Sequence, residues 1–163
     1  MSGEGEKQKE PKSQGRVCIT YGRDKIMNKQ VVSLIRELGI DPLVMQDKDN
    51  AAKPLADFVH QHPDISFAIA ILSADDWVYP KQGKPKDALM RADQRVVFHL
   101  GYWIGNLGRE RVYALYYDQR TFRWPTEYFD VIYTPLDRDG LWKAEIVRRL
   151  KQAGFNLKKA DIV

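Results

Sequence analysis

Among the side chains able to do chemistry, His99 has the most telling position. Setting Val96 at zero on a helical wheel and advancing about 100° per residue gathers Val96, Val97, Leu100, Trp103, Ile104 and Leu107 within one third of the circumference. That stripe is the predicted core face. His99 falls at its edge, near Ala92, Arg95, Tyr102 and Asn106, where a side chain can be half buried and look into a cleft. A boundary imidazole either bonds to backbone or water or faces a ligand, as a neutral donor–acceptor or as a cation. Asp93, six residues earlier, is expected in the first turn, where the helix dipole keeps a carboxylate ionised. It does not share the flank of His99, so its expected part is to anchor the helix start. Asp75 and Asp76 close an apolar run and could face the same cleft. Cys18 lies inside an apolar strand and reads as a core thiol. His60, His62 and His99 lack zinc-site spacing, so no metal is expected.

These residues must be positioned by apolar runs alternating with helix-period segments, the pattern of a parallel sheet covered on both faces. Arg16 to Tyr21 reads as strand 1, ending at Gly22-Arg23, and Asp24 can cap the next helix. Met27, Val31, Leu34, Ile35 and Leu38 recur at helical spacing until Gly39. Pro42 to Met45 is strand 2, Gln46 to Lys53 a polar loop, and Pro54 opens a short helix to about Gln61. Ser66 to Leu72 is nearly all apolar, as a central strand should be. A long loop is predicted from Ser73 to about Ala88, of the kind that is usually functional or mobile. The helix from Arg91 ends near Leu107-Gly108, Arg111 to Tyr117 is strand 4, and Gln119 to Asp130 is irregular with a possible helical turn. Val131 to Thr134 makes strand 5, and Leu141 to Ala153 the last helix.

The expected fold is therefore α/β: a flavodoxin-like, doubly wound, five-stranded parallel sheet. Residues 1–15 are read as a disordered leader, 16–155 as the domain and 156–163 as a tail. In such sheets ligands bind beyond the carboxyl ends of the strands, where the strand order reverses. For the order 2-1-3-4-5 this puts Tyr21, Gly22, Arg23 and Asp24 across a crevice from Asp75, Asp76 and Trp77, bordered by the start of the helix with Arg95 and by the Gln46–Lys53 loop.

Bulk properties narrow the classes. At 163 residues and 44% hydrophobic, the chain suits one domain with a real core. A net charge of +4 reads as a solvated surface, and no basic stripe interleaved with aromatics points to nucleic acid. A single cysteine rules out an internal disulfide and suits the cytoplasm. Residues 1–15 carry no apolar stretch that would make a signal peptide, and no segment approaches the roughly 20 apolar residues of a spanning helix.

The run Arg91-Ala92-Asp93-Gln94-Arg95-Val96-Val97-Phe98-His99-Leu100-Gly101-Tyr102-Trp103-Ile104-Gly105-Asn106-Leu107-Gly108-Arg109 resembles the signature helix of the bacterial TIR-like nucleotide-binding proteins. These are the prokaryotic effectors, of CBASS/Pycsar type, that cleave NAD in antiphage defence. The resemblance extends over Arg16 to Phe155. Val17 to Asp24 is similar to the family's opening strand and Gly-Arg/His-Asp turn, and Leu72-Ser73-Ala74-Asp75-Asp76 looks like its Leu-Thr-Pro-Asp-Asp. The runs Leu107 to Val112, Pro135-Leu136-Asp137 and Trp142-Lys143 also match. Two departures stand out. His99 occupies the position of the family's catalytic glutamate. Strand 2 exits through Met45-Gln46-Asp47, where relatives often show His-Glu, and the next loop lacks their Gly-Arg/Lys-Thr pattern.

The resemblance implies a TIR fold, NAD or a related nucleotide as substrate or ligand rather than as a cofactor, and assembly with itself or with another TIR or sensor domain. It makes His99 and Asp93 the catalytic candidates. Tyr21, Gly22, Arg23, Asp24, Asp75, Asp76, Trp77, Arg95 and Tyr102 are the nucleotide-contact candidates, with Arg23 on a phosphate or ribose. Trp77 and Tyr79 either stack on a ring or anchor their loop. Breaking the nicotinamide–ribose bond passes through an oxocarbenium-like state, which a glutamate stabilises and a neutral histidine does not, so hydrolysis is expected to be weak or lost. The other expectation is an active NAD nucleosidase triggered by assembly. Phe98, Gly101 and Gly105, opposite the core stripe, suit self-association or local packing. A two-component receiver fails on residues, since no acidic pair follows strand 1 and Thr134-Pro135 stands where a receiver keeps its lysine. A nucleoside deoxyribosyltransferase would want a carboxylate nucleophile.

Overall fold

Val17, Ile19 and Tyr21 alternate with Cys18 and Thr20 along the first strand, so one strand feeds two cores. The computed structural model describes residues 15–47, 51, 53–117, 121–125 and 133–158. The leader to residue 14, residues 48–50 and 52 of the polar loop, much of the predicted irregular segment with its helical turn, and the tail past 158 lie outside the described residues. β1 (Arg16–Tyr21) runs into α1 (Lys25–Glu37), whose first turn is capped by Asp24: its carboxylate accepts from the N–H groups of Ile26 and Met27, both at 2.9 Å. Gly39, at φ 84°, ends that segment in the left-handed conformation that glycine adopts without steric cost. β2 (Leu43–Val44), α2 (Leu55–Gln61) and β3 (Ile65–Leu72) follow.

The predicted long loop is a folded unit, and here the sequence reading needs correction. β4 (Asp76–Val78) pairs antiparallel with β5 (Leu89–Arg91), and β7 (Phe122–Arg123), from within the predicted irregular segment, pairs with β5 in parallel. Strands of two or three residues are too short to leave a period-2 signal, and their partners lie far away in sequence. The extension to β5 also shortens the signature helix. α3 runs Gln94–Leu107, because Arg91 is spent on strand pairing and Asp93 caps the first turn.

β6 (Val112–Tyr116), β8 (Tyr133–Pro135) and α4 (Leu141–Gln152) complete the chain. The main sheet is five-stranded, all parallel, in the order β2-β1-β3-β6-β8. This is the doubly wound arrangement expected. One face packs Val17, Ile19, Ile69 and Tyr113 against α1 and α4; the other packs Cys18, Ala68 and Ala114 against Phe58 of α2 and Val96, Leu100 and Trp103 of α3. Cys18 is buried in the second core, where desolvation pushes its thiol far above the ordinary range. Among the described residues, no helix is long and apolar enough to cross a membrane.

Candidate functional site

Where β1 and β3 end, their exit loops are tied together by one carboxylate. Asp75 Oδ1 accepts from the backbone N–H of Arg23 at 3.0 Å and from Ser73 Oγ at 2.6 Å, and its Oδ2 accepts from the N–H of Asp93 at 3.0 Å. Its own N–H donates to the carbonyl of Arg91 at 2.9 Å. Asp75 thus joins the exits of two central strands to the cap of α3. Gly22 is required for this: a Cβ there would sit 1.8 Å from Asp75 Oδ2. Beyond the knot, Arg23, Asp24, Ser73, Ala74, Asp75 and Tyr117 line a cavity of about 320 Å³. Of the predicted crevice, Tyr21, Gly22, Asp76, Trp77, the start of α3 and the described part of the polar loop after β2 are not in its lining. The cavity does bring together Arg23, Asp24 and Ser73 to Asp75, and it adds Tyr117 as an unpredicted wall. Applying the same strand-end rule to β6 would have found it.

The other charged candidates are largely engaged. Arg23 pairs with Asp76 at 3.4 Å and remains mostly exposed. Asp93 Oδ1 accepts from the N–H of Arg95 at 2.8 Å as helix cap, and the Arg95 guanidinium bonds both carboxylate oxygens, at 3.2 and 3.1 Å. Hydrogen bonding to Arg95 holds the Asp93 carboxyl below its ordinary range, against a smaller opposing effect of burial. Asp24 is occupied as the α1 cap. The Tyr21 ring packs toward the α1–α4 core, on the sheet face opposite α3, so only its backbone reaches the His99 side. Tyr102 is half-buried with its ring edge-on to Trp103 at 5.0 Å. Trp77 is 66% exposed and Tyr79 45%. Neither ring anchors its segment by burial, which β4–β5 pairing and Asp75 hold instead.

His99 is half-buried where the wheel put it, and its surroundings fix its protonation pattern. Tyr21 N–H can only donate, and it donates to Gln46 Oε1 at 3.2 Å. That orients the Gln46 amide, so Nε2 faces Thr20 and donates to Thr20 Oγ1 at 3.1 Å. The hydroxyl, buried with Thr20, keeps one hydrogen, and among the described residues no bond takes it except the 2.9 Å contact with His99 Nδ1. Satisfying that buried donor makes Nδ1 its acceptor. Nδ1 is thus assigned as an acceptor, and the proton of the neutral ring sits on Nε2. Burial, aided by the Arg95 charge and opposed by Asp93, keeps the imidazole pKa below its ordinary value of 6.5. Nε2 has no protein partner among the described residues and is not sealed from solvent. The result is a neutral ring with one free donor.

Thr20 and Gln46 carry this geometry and were not among the predicted site residues. Thr20, 1% exposed, is the lone aliphatic hydroxyl in β1; Gln46 is the first residue of the polar loop after strand 2 and one of the noted departures. On the outer face of α3, Phe98 is 65% exposed, and a Cβ added at Gly101 or Gly105 would meet nothing within 4 Å. Among the described residues, no local packing covers that strip.

Residues 16–138 match the family described as CAP12/Pycsar effector protein, TIR domain. The chain is also 28% identical over 145 residues to the uncharacterized protein YuaY of Escherichia coli (strain K12), covering 88% of this chain and 47% of that protein. To the protein tirC of Dictyostelium discoideum it is 29% identical over 103 residues, covering 61% of this chain and 51% of the other. It therefore spans about half the length of either relative.

Proposed function

Because the chain belongs to the CAP12/Pycsar effector TIR-domain family, we propose that it is a nucleotide-binding TIR domain that takes NAD or a related nucleotide and hydrolyses it weakly or not at all. The observation that carries this reading is the bonded state of His99, at the position of the catalytic glutamate in the resemblance. Cleavage of the nicotinamide–ribose bond builds positive charge on the ribose. A carboxylate there stabilises that charge and binds a hydroxyl. A neutral imidazole with its proton on Nε2 can donate to a ribose oxygen but supplies no negative charge, and a protonated one would oppose the transition state.

The neighbouring carboxylates do not make up the deficit. Asp93 is held by its cap bond and by Arg95, and Asp75 already accepts three hydrogen bonds. Both serve the frame, and the frame keeps the crevice open to a ligand. Self-association, or docking on another TIR or sensor domain, would use the exposed Phe98–Gly101–Gly105 strip.

The test is NAD turnover at high protein concentration, read by mass detection of nicotinamide and ADP-ribose. The wild type is expected to be near silent while still binding NAD in calorimetry. His99→Glu should raise cleavage by about 10²–10³-fold, the usual scale for one electrostatic group in a preorganised site. Robust wild-type turnover would instead favour the assembly-triggered nucleosidase. Identical rates in both proteins would remove His99 from the catalytic position.

A further inference from the structure

On the opposite flank of α3 from His99 stand two guanidiniums that no carboxylate among the described residues pairs with. Arg91 on β5 and Arg123 on β7 are direct register partners in the small sheet. Like charges placed opposite each other across a strand pair are destabilising. No ion pair among the described residues engages either one. Asp76, which stands opposite Arg91 on β4, has its carboxylate on Arg23. Arg91 Nε is moreover buried without a hydrogen-bond partner, a costly state for a charged donor.

Both arginines line a cavity of about 260 Å³, together with Gln94 and Val97 of α3 and with Trp124. The Trp124 ring is braced edge-on by Tyr116 at 4.4 Å and Phe122 at 5.2 Å and tilted against Tyr133 at 4.8 Å, yet it stays 37% exposed. A ring already held in place offers a stacking surface at little entropic cost. Two arginines suit a phosphate, which they can bond bidentately, and the ring suits a base. At about 260 Å³ the cavity falls just below the roughly 300–1,000 Å³ common for ligand pockets, which limits it to a ligand no larger than a mononucleotide.

We propose that the cavity between β5, β7 and the start of α3 binds a nucleoside monophosphate, its phosphate between Arg91 and Arg123 and its base against Trp124. The site shares no lining residue with the cavity beside Asp75, does not include His99 and does not depend on the NAD reading.

The test is calorimetry on the full chain with AMP, adenosine and inorganic phosphate, paired with thermal melts. AMP should bind, with affinity falling as salt rises; phosphate should compete with it, and adenosine should bind about tenfold or more weakly, the scale of one charge-assisted contact. Arg123→Gln should weaken AMP about tenfold or more while leaving the ligand-free melting temperature unchanged or higher, because it relieves the like-charge pair. No AMP binding at millimolar concentration, or equal affinity in Arg123→Gln, would overturn the proposal. So would a drop of several degrees in that variant without ligand, which would make the guanidinium a structural strut.

Discussion

Asp75 and His99 both reach the end of β1, Asp75 through the N–H of Arg23 and His99 through Thr20, and are bonded to opposite effect. Asp75 accepts from Arg23, Ser73 and Asp93, its carboxylate spent on joining three chain segments. Among the described residues His99 is bonded on one side only, through Thr20 to Gln46, which leaves its other nitrogen without a partner there. One polar group is architecture because its partners are all protein. The other is available for recognition because its partners stop halfway. The contrast also separates two meanings of a family motif: the Asp75 knot keeps the frame, while the proposed function gives the His99 position the part of setting what the frame can catalyse.

The comparison can be broken first at Asp75. Asp75→Ala strips acceptors from two backbone N–H groups and a hydroxyl and should destabilise by about 2–4 kcal/mol, measured by urea unfolding. His99→Ala should cost about 1 kcal/mol, the scale of one net hydrogen bond. Gly22→Ala should be nearly as harmful as Asp75→Ala alone but cost little in the Asp75→Ala background, since its clash is with that carboxylate. Additive losses, or a larger loss at His99, would contradict the division of roles.

A smaller effect lies in pH. The folded-state pKa of His99 is depressed, so the unfolded chain binds more protons just below pH 6.5. Stability is then full above that pH and falls as pH drops toward the folded value. His99→Ala should flatten that part of the stability–pH curve. An unchanged slope would mean that the ring titrates normally. The smallest change in energy, and the sharpest in information, is Gln46→Glu. A carboxylate at 46 accepts from both Tyr21 N–H and the Thr20 hydroxyl, so Thr20 must accept from His99 Nδ1–H and the tautomer reverses. Nitrogen chemical shifts of the ring would show Nδ1 unprotonated in the wild type and protonated in the variant; the same tautomer in both would sink the relay.

Much of this was legible in the chain. The strand from Arg16 to Tyr21, the apolar run from Ser66 to Leu72, the Asp24 cap and the helical stripe through Val96, Leu100 and Trp103 are local patterns, and each led to the right element. Strand order followed from alternation of strand and helix and placed Arg23, Asp24 and Asp75 at one crevice. The small sheet was not legible, because β4, β5 and β7 are two or three residues long and β5 finds its second partner far along the chain, Met90 with Phe122 and Arg91 with Arg123. Asp75 as a knot was equally hidden, since its partners Arg23 and Asp93 lie 52 and 18 residues away.

What the sequence determined by itself is the doubly wound sheet, the edge position of His99 on its helix and the family frame around it, because periodicity, capping and hydrophobic burial act over a few residues. Only the tertiary structure decided which polar groups were consumed and which were left free. The protonation of His99 depends on a hydrogen-bond chain through Thr20, Gln46 and Tyr21 that spans 79 residues at one link, and the placing of Arg91 opposite Arg123 depends on a strand register. Hydrogen bonds and charges act over ångströms in space, and a linear chain states no such distance until it folds.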